Sequence, residues 1–109
     1  MNEYEASFTE IFVENLGRYS SMRKQIRNRV DRVLQQPYHN TESLADVKTG
    51  KNLTGCRSAR VDRNFRIIFV VCEECRKIVT SEYCFCDELS DQAILFLTVG
   101  PHDRAYEME

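Results

Sequence analysis

The 109-residue sequence predicts a single α+β domain: an N-terminal helical hairpin packed on an antiparallel β-sheet of about four strands, with a metal-clipped β-hairpin extension. Three observations carry the prediction. The hydrophobic period is helical as far as Pro37 and strand-like from Cys56, so helices come first and strands second instead of alternating. The length suits one core and leaves no room for a second. Four of the five cysteines fall between residues 72 and 86.

The first helix is read in "SFTEIFVENLG". Ser7 and Glu10 have the spacing of a capping box, Phe8, Ile11, Phe12 and Leu16 form one apolar stripe, and Gly17 suits the C-terminal stop. The second is read in "RYSSMRKQIRNRVDRVLQQP", where Tyr19, Met22, Ile26, Val30 and Val33 share a face and Pro37 ends the run. The short connection at Gly17 predicts an antiparallel pair. Residues 38–54 are polar and read as a loop with one apolar anchor, Leu44 or Val47. Two β-rich runs, Cys56–Val61 and Phe65–Cys72, flank the turn-prone "DRN" and read as a hairpin. A third strand is read in "KIVTSEYCF" and a fourth in "AILFLTVG"; residues around Tyr4 carry a weak signal for an edge strand.

No apolar run reaches the roughly 20 residues that span a bilayer. The acidic start "MNEYEASFTE" lacks the charged-then-apolar pattern of a secretory signal, so the expected location is the cytoplasm, where thiols stay reduced. The net charge of −2 conceals a segregation. Between Arg18 and Arg66 stand 12 Lys/Arg against 4 Asp/Glu, while the remaining segments hold 3 against 13. A basic middle of this kind can face a phosphate backbone or form a solvated surface.

Cys72, Cys75, Cys84 and Cys86 follow Cys-x₂-Cys, eight residues, then Cys-x-Cys. Four thiolates favour tetrahedral zinc and leave no open coordination position, so the expected ion is structural. Free thiols and disulfides are the alternatives, and an odd cysteine count strands one residue in any full disulfide set. Cys56 lies outside the pattern and reads as a buried strand residue.

The stretches "RSARVDRNFRIIF" and "LFLTVGPHDRAYE" resemble the RelE/ParE superfamily, the toxins of type II toxin–antitoxin modules. The shared pattern is a basic strand, a short turn and an aromatic-Arg-aliphatic strand, here Phe65-Arg66-Ile67-Ile68-Phe69. It closes with a strand running into Gly100, His102 and Tyr106. The order of elements agrees, and the resemblance covers most of residues 1–109 apart from an insertion at 72–92. Two departures stand out. The insertion replaces a tight turn, and His102 stands where the ribonuclease branch usually has Arg.

The resemblance implies a ribosome-associated mRNA endonuclease that drives the ribose 2′-hydroxyl onto the adjacent phosphate without a metal. That reaction needs a base, an acid and fixed positive charge. Arg66 matches the family's phosphate-contacting arginine; an ion pair with a surface carboxylate is its alternative role. Strand alternation sends Phe65, Ile67 and Phe69 to the other face. His102 is a candidate acid or base, with an ordinary imidazole pKa of about 6.5, and Tyr106 matches a C-terminal tyrosine that stacks on a base or assists proton transfer. Arg57 and Arg60 lie on the basic strand, and pairing register decides which of them faces the site. His39 has no partner pattern. The implied partners are a cognate antitoxin, mRNA and the ribosome. Two rivals share the fold: a ParE-like protein that poisons DNA gyrase without catalysis, and a degenerate zinc-stabilised interaction module.

Overall fold

The apolar runs Phe65–Val71 and Ala93–Pro101 pair antiparallel at the centre of the fold, and nearly all their side chains are buried on both faces. The computed structural model describes residues 4–44, 47–48 and 51–101. The elements are β1 (Glu5–Phe8), α1 (Glu10–Arg18), a 3-10 turn (Ser20–Met22), α2 (Arg23–Gln35), β2 (Thr41–Ser43), β3 (Val47–Lys48), β4 (Lys51–Asn52), β5 (Arg57–Arg60), β6 (Phe65–Val71), α3 (Cys72–Cys75) and β7 (Ala93–Pro101). The main sheet runs β1-β7-β6-β5-β2, and β3 pairs with β4.

The sheet therefore differs from the expected antiparallel four. It has five strands, and β1 lies parallel to β7 with Glu5 opposite Ala93 and Phe8 opposite Phe96. A central strand as apolar as β7 would leave a row of unpaired backbone groups at the sheet edge, and β1 satisfies them. This pairing also moves the start of α1. Ser7 is committed to β1, and Thr9 caps the helix instead, its Oγ1 accepting from the backbone N–H of Phe12 at 3.1 Å. The helix runs through Gly17 to Arg18, and the 3-10 turn makes the junction to α2.

One face of the sheet carries the helices. Phe12 from α1 and Ile26, Val30 and Val33 from α2 are buried with Ala59, Ile67, Phe69, Val71, Ile94, Phe96 and Val99. Phe12, Leu16, Ile26, Val30 and Val33 pack as read from the sequence, but Tyr19 and Met22 precede α2, and Phe8 belongs to β1 and stacks on Phe96 with ring centroids 5.2 Å apart. Leu97 is an extra residue between Phe96, which pairs with Phe69, and Thr98, which pairs with Ile68. This bulge returns Val99 to the helix side.

The opposite face is covered by residues 72–92 and by the segment that leads into β5. Leu44, Leu53 and Cys56 are buried there with Ile68, Val70, Leu95, Leu97 and the cysteines 72, 75 and 86, with Tyr83, Cys84 and Leu89 packed against them. Residues 38–54, read as a loop with one anchor, instead hold β2, β3 and β4 and bury two anchors, Leu44 and Leu53, while nothing is described of the Val47 side chain. "KIVTSEYCF" forms no strand: after the helical turn α3 the segment is irregular, and Val79 is 98% exposed. A strand pairing outward from β6 would have carried the insertion away from the sheet. Folding it back instead buries Ile68, Val70, Leu95 and Leu97, which water would otherwise meet.

Polar contacts secure this cover. The Arg76 guanidinium donates to the carbonyls of Cys86 and Leu89 and pairs with Asp91, joining both ends of the insertion. Asn52 Nδ2 donates to the Thr80 carbonyl at 3.0 Å. Gly55, at φ +93°, lies so close to the insertion that an added Cβ would stand 2.6 Å from Ser81 Oγ. Gly55→Ala combines backbone strain with that clash and should cost about 1 to 3 kcal/mol. Urea unfolding measures the loss, and faster amide exchange in residues 76–92 than in the helices locates it.

Candidate active site and cysteine cluster

The β5–β6 register separates the two arginines that the sequence left open. Arg60 stands directly opposite Arg66, whereas Arg57 stands opposite Phe69. Ala59, Ile67 and Phe69 point into the helix-side core, so Arg57 shares their face and Arg60 shares the other with Arg66 and the buried Ser58. Arg60 is exposed and Arg66 is half-buried.

Arg60 and Arg66 line a cleft of about 760 Å³ together with Arg29 and Arg32 of α2 and with His39. Among the described residues its walls hold four arginines and one carboxylate, Glu42. Ser58 Oγ, also in the wall, is buried without a hydrogen-bond partner among the described residues. Arg29 braces the cleft. Its Nε donates to the Arg60 carbonyl and its Nη2 to the Asn40 carbonyl, each at 2.9 Å. Burial, and then the charge of Arg32, hold the Arg29 guanidinium below its ordinary pKa. His39 sits in a stiff loop: its backbone N–H donates to the Gln36 carbonyl, Thr41 Oγ1 donates to the Pro37 carbonyl at 2.6 Å, and Asn40 takes φ 56°. A cleft with this charge and an imidazole on its rim suits a phosphate-bearing ligand.

Of the residues nominated from sequence, Arg60 and Arg66 come together, Arg57 lies elsewhere, and His102 and Tyr106 fall outside the described residues. Sequence reading passed over Arg29, Arg32 and His39. The arginines belong to the basic segment 18–66, which reads equally as a solvated surface, and only the turn after Pro37 brings the imidazole to the cleft.

Arg57 is held at the other end of the sheet. Its Nε is 3.3 Å from Glu74 Oε1, and its guanidinium lies over the Tyr38 ring at 4.8 Å. Glu73 Oε2 accepts from Tyr4 Oη at 2.5 Å and from Tyr38 Oη at 2.9 Å. The bond to Glu73 is the main reason the Tyr4 hydroxyl is pushed up to about 12; burial first, then Glu73, pushes the Tyr38 hydroxyl up as well.

Glu73 and Glu74 are the residues between Cys72 and Cys75, and behind them the four nominated sulfurs converge. Cys72 and Cys86 are joined as a disulfide, and Cys75 Sγ lies 2.8 Å from Cys84 Sγ and 3.6 Å from Cys86 Sγ. The sulfurs of Cys75, Cys84 and Cys86 lie within 4.8 Å of one another, a spacing that could hold a metal ion once Cys86 is reduced. Around a tetrahedral zinc with bonds of about 2.3 Å the sulfurs would stand about 3.8 Å apart. In this state Cys75 and Cys84 are the free thiols among the four, so the four-thiolate set belongs to the reduced chain. Cys56 is buried and its thiol is pushed up to about 12 by desolvation.

No family model matches the sequence, and no curated protein matches it significantly. Solved structures do. A chain of the RelBE2 toxin–antitoxin complex of Mycobacterium tuberculosis superposes with a TM-score of 0.62 at 17% identity, over 96% of this chain and 95% of that one. YafQ from E. coli gives 0.59 at 10% identity, over 95% and 99% of the two chains. A chain of the YoeB–YefM complex from Staphylococcus aureus gives 0.55 at 18%, over 91% and 97%. The fold is therefore the one these three chains share. Within this fold the basic cleft is built by α2, the loop after it, β5 and β6, while the cysteine cluster is built at the far end of β6. Among the described residues no helix is long and apolar enough to cross a membrane.

The burial of Cys56 makes a direct prediction, because alkylation proceeds through the thiolate. In the folded, metal-free protein at about pH 8, a thiol-specific reagent should modify the partly exposed Cys84 and spare Cys56. Cys56 should become reactive only as the pH approaches about 12 or the chain unfolds. Peptide mapping of the alkylated protein reads the order.

Proposed function

We propose that this protein is the toxin of a type II toxin–antitoxin pair and that it cleaves RNA in the cleft of Arg60 and Arg66. The observation that carries the reading is the cleft itself, a cavity of about 760 Å³ with four arginines and one carboxylate among its described lining residues. The reaction is attack of a ribose 2′-hydroxyl on the adjacent phosphate, giving a cyclic phosphate and a free 5′-hydroxyl. The Arg66 fork, half-buried on a rigid strand, holds the phosphate as it gains charge, and Arg60 adds a second cation across the ladder. His39 at the cleft, with His102 and Tyr106 of the C-terminal segment, supplies the groups that exchange protons with the attacking and leaving oxygens. The expected substrate is mRNA on the ribosome, where the basic segment 18–66 can lie on rRNA phosphates. A cognate antitoxin with an acidic or amphipathic segment would neutralise the toxin by covering Arg60 and Arg66 and reaching toward Arg57. The RelBE2 and YoeB–YefM structures, both complexes, support that partner.

Arg66→Ala should lower the cleavage rate on the order of a hundredfold, as for loss of a preorganised charge at the transition state. Arg60→Ala should have a smaller effect because its side chain is exposed. Primer extension on ribosome-bound mRNA reads the cuts. No cuts together with inhibition of DNA supercoiling would replace this reading with the gyrase one.

In the reduced protein the sulfur cluster would take one zinc on Cys72, Cys75, Cys84 and Cys86. The donor set is all thiolate and closed, so zinc there holds the chain and leaves the chemistry to the cleft. Structural zinc contributes on the order of 10 kcal/mol. Protein purified under reducing conditions should contain one zinc per chain by elemental analysis. Chelation should release residues 72–90 first, exposing Ile68, Val70, Leu95 and Leu97 to an apolar dye while helix content persists. Metal-free protein whose segment 72–90 is already well protected from amide exchange would sink the zinc assignment.

A further inference from the structure

The turn α3 has two sides with different tasks. Cys72 and Cys75 anchor it to Cys84 and Cys86, while Glu73 and Glu74 grip the body of the domain through Tyr4, Tyr38 and Arg57. The grip on Arg57 is poor. Nε and Oε1 stand 3.3 Å apart, yet both are buried and neither has an aligned hydrogen bond among the described residues. A guanidinium held against a misaligned carboxylate gains from any ligand that meets its fork squarely, and a phosphate does so. Tyr38 is 45% exposed, with Arg57 over its ring. Beside it lies a cavity of about 530 Å³ lined by Tyr38, Glu73, Glu74, Lys77 and Ile78. That volume suits a nucleotide.

We propose that Arg57 and Tyr38 form a nucleotide subsite, the guanidinium for a phosphate and the ring for a base, which the Glu73–Glu74 turn caps in cis while the cysteine cluster holds the cap shut. The carboxylate of Glu74 occupies the phosphate position. Lys77, at the cavity, is a second cation for an incoming strand. The cap depends on the cluster because a four-residue helical turn is far below the length that holds itself together. Among the described residues no side chain caps its N-terminus. With the sulfurs released, the turn loses one anchor; its own side chains then hold it through a misaligned ion pair and two tyrosine hydrogen bonds, and Arg76 ties its C-terminal side to the Cys86 and Leu89 carbonyls. The ligand class rests on the RNA reading above; the cap does not.

The cap is tested without RNA. An arginine-specific dicarbonyl reagent, with modification mapped by mass spectrometry, compares Arg57 with the exposed Arg60 in the intact chain. Labelling of Arg57 should rise several-fold in Glu74→Gln, and likewise when the wild-type cluster is opened by a reductant plus chelator, with Arg60 unchanged. Flat labelling of Arg57 in both would overturn the cap. If the half-buried Arg29 rises with it on chelation, the domain has opened as a whole and the Glu74→Gln protein decides.

The subsite is tested with a single-stranded RNA oligonucleotide. Uncapping by Glu73→Gln with Glu74→Gln should tighten binding and steepen the dependence of log K on log salt by about 0.7, one added phosphate contact. Adding Arg57→Gln should erase the gain, while adding Arg63→Gln, an equal charge change on an exposed turn, should keep most of it. If RNA binds through Arg66 but uncapping changes nothing, the subsite falls and the cleft reading stands. If no variant binds RNA, both fall.

Discussion

The β6–β7 pair is apolar on both faces, and that constraint organises the rest of the molecule. Ile67, Phe69, Ile94 and Phe96 on one side, and Ile68, Val70, Leu95 and Leu97 on the other, are all buried. Two helices suffice for one face of a small sheet. The other face needs a second cover, and residues 72–92 provide it together with Leu44 and Leu53. Because the insertion offers few apolar side chains of its own, it is fastened by sulfur contacts, by the Arg76 bonds and by close approach of backbone at Gly55. The cysteines are thus tied to burial of the sheet.

The same strand separates the two sites. Arg66 lies near the start of β6 and Cys72 directly follows its end, so at about 3.3 Å per residue they stand about 20 Å apart. A metal on the sulfurs cannot reach a phosphate in the cleft, and its influence must pass through packing. Arg57, opposite Phe69 on the helix-side face, lies toward the cysteine end of the strand. Its contacts with Glu74 and Tyr38 make it the residue through which the cover touches the basic body of the domain.

A polar surface built on such a rigid pair is well suited to anion chemistry. Arg60 and Arg66 project from a ladder whose opposite side is packed by Ala59 and Ile67, and Arg29 holds the Arg60 backbone from α2. Positive charge held in place by packing needs little reorganisation when a phosphate gains charge, which is the condition under which fixed cations are most effective. His39 is held by a loop with two backbone-directed hydrogen bonds, so its placement is also set before any ligand arrives.

Sequence by itself determined what depends on local period and local chemistry. The stripes Phe12, Leu16 and Ile26, Val30, Val33, the stop at Pro37, the hairpin around "DRN" and the last strand were all legible because each rests on neighbours in the chain. The convergence of four cysteines was legible for the same reason: their spacing leaves short loops to close. Tertiary structure alone decided the rest. Whether residues 5–8 enter the helix or pair beside β7 turns on an edge that only the assembled sheet presents. Whether residues 77–85 form a strand turns on an uncovered apolar face elsewhere in the fold. Which of Arg57 and Arg60 meets Arg66 turns on register, and His39 reaches the cleft only through a loop conformation. Burial and pairing are properties of distant segments brought together, and no local window contains them.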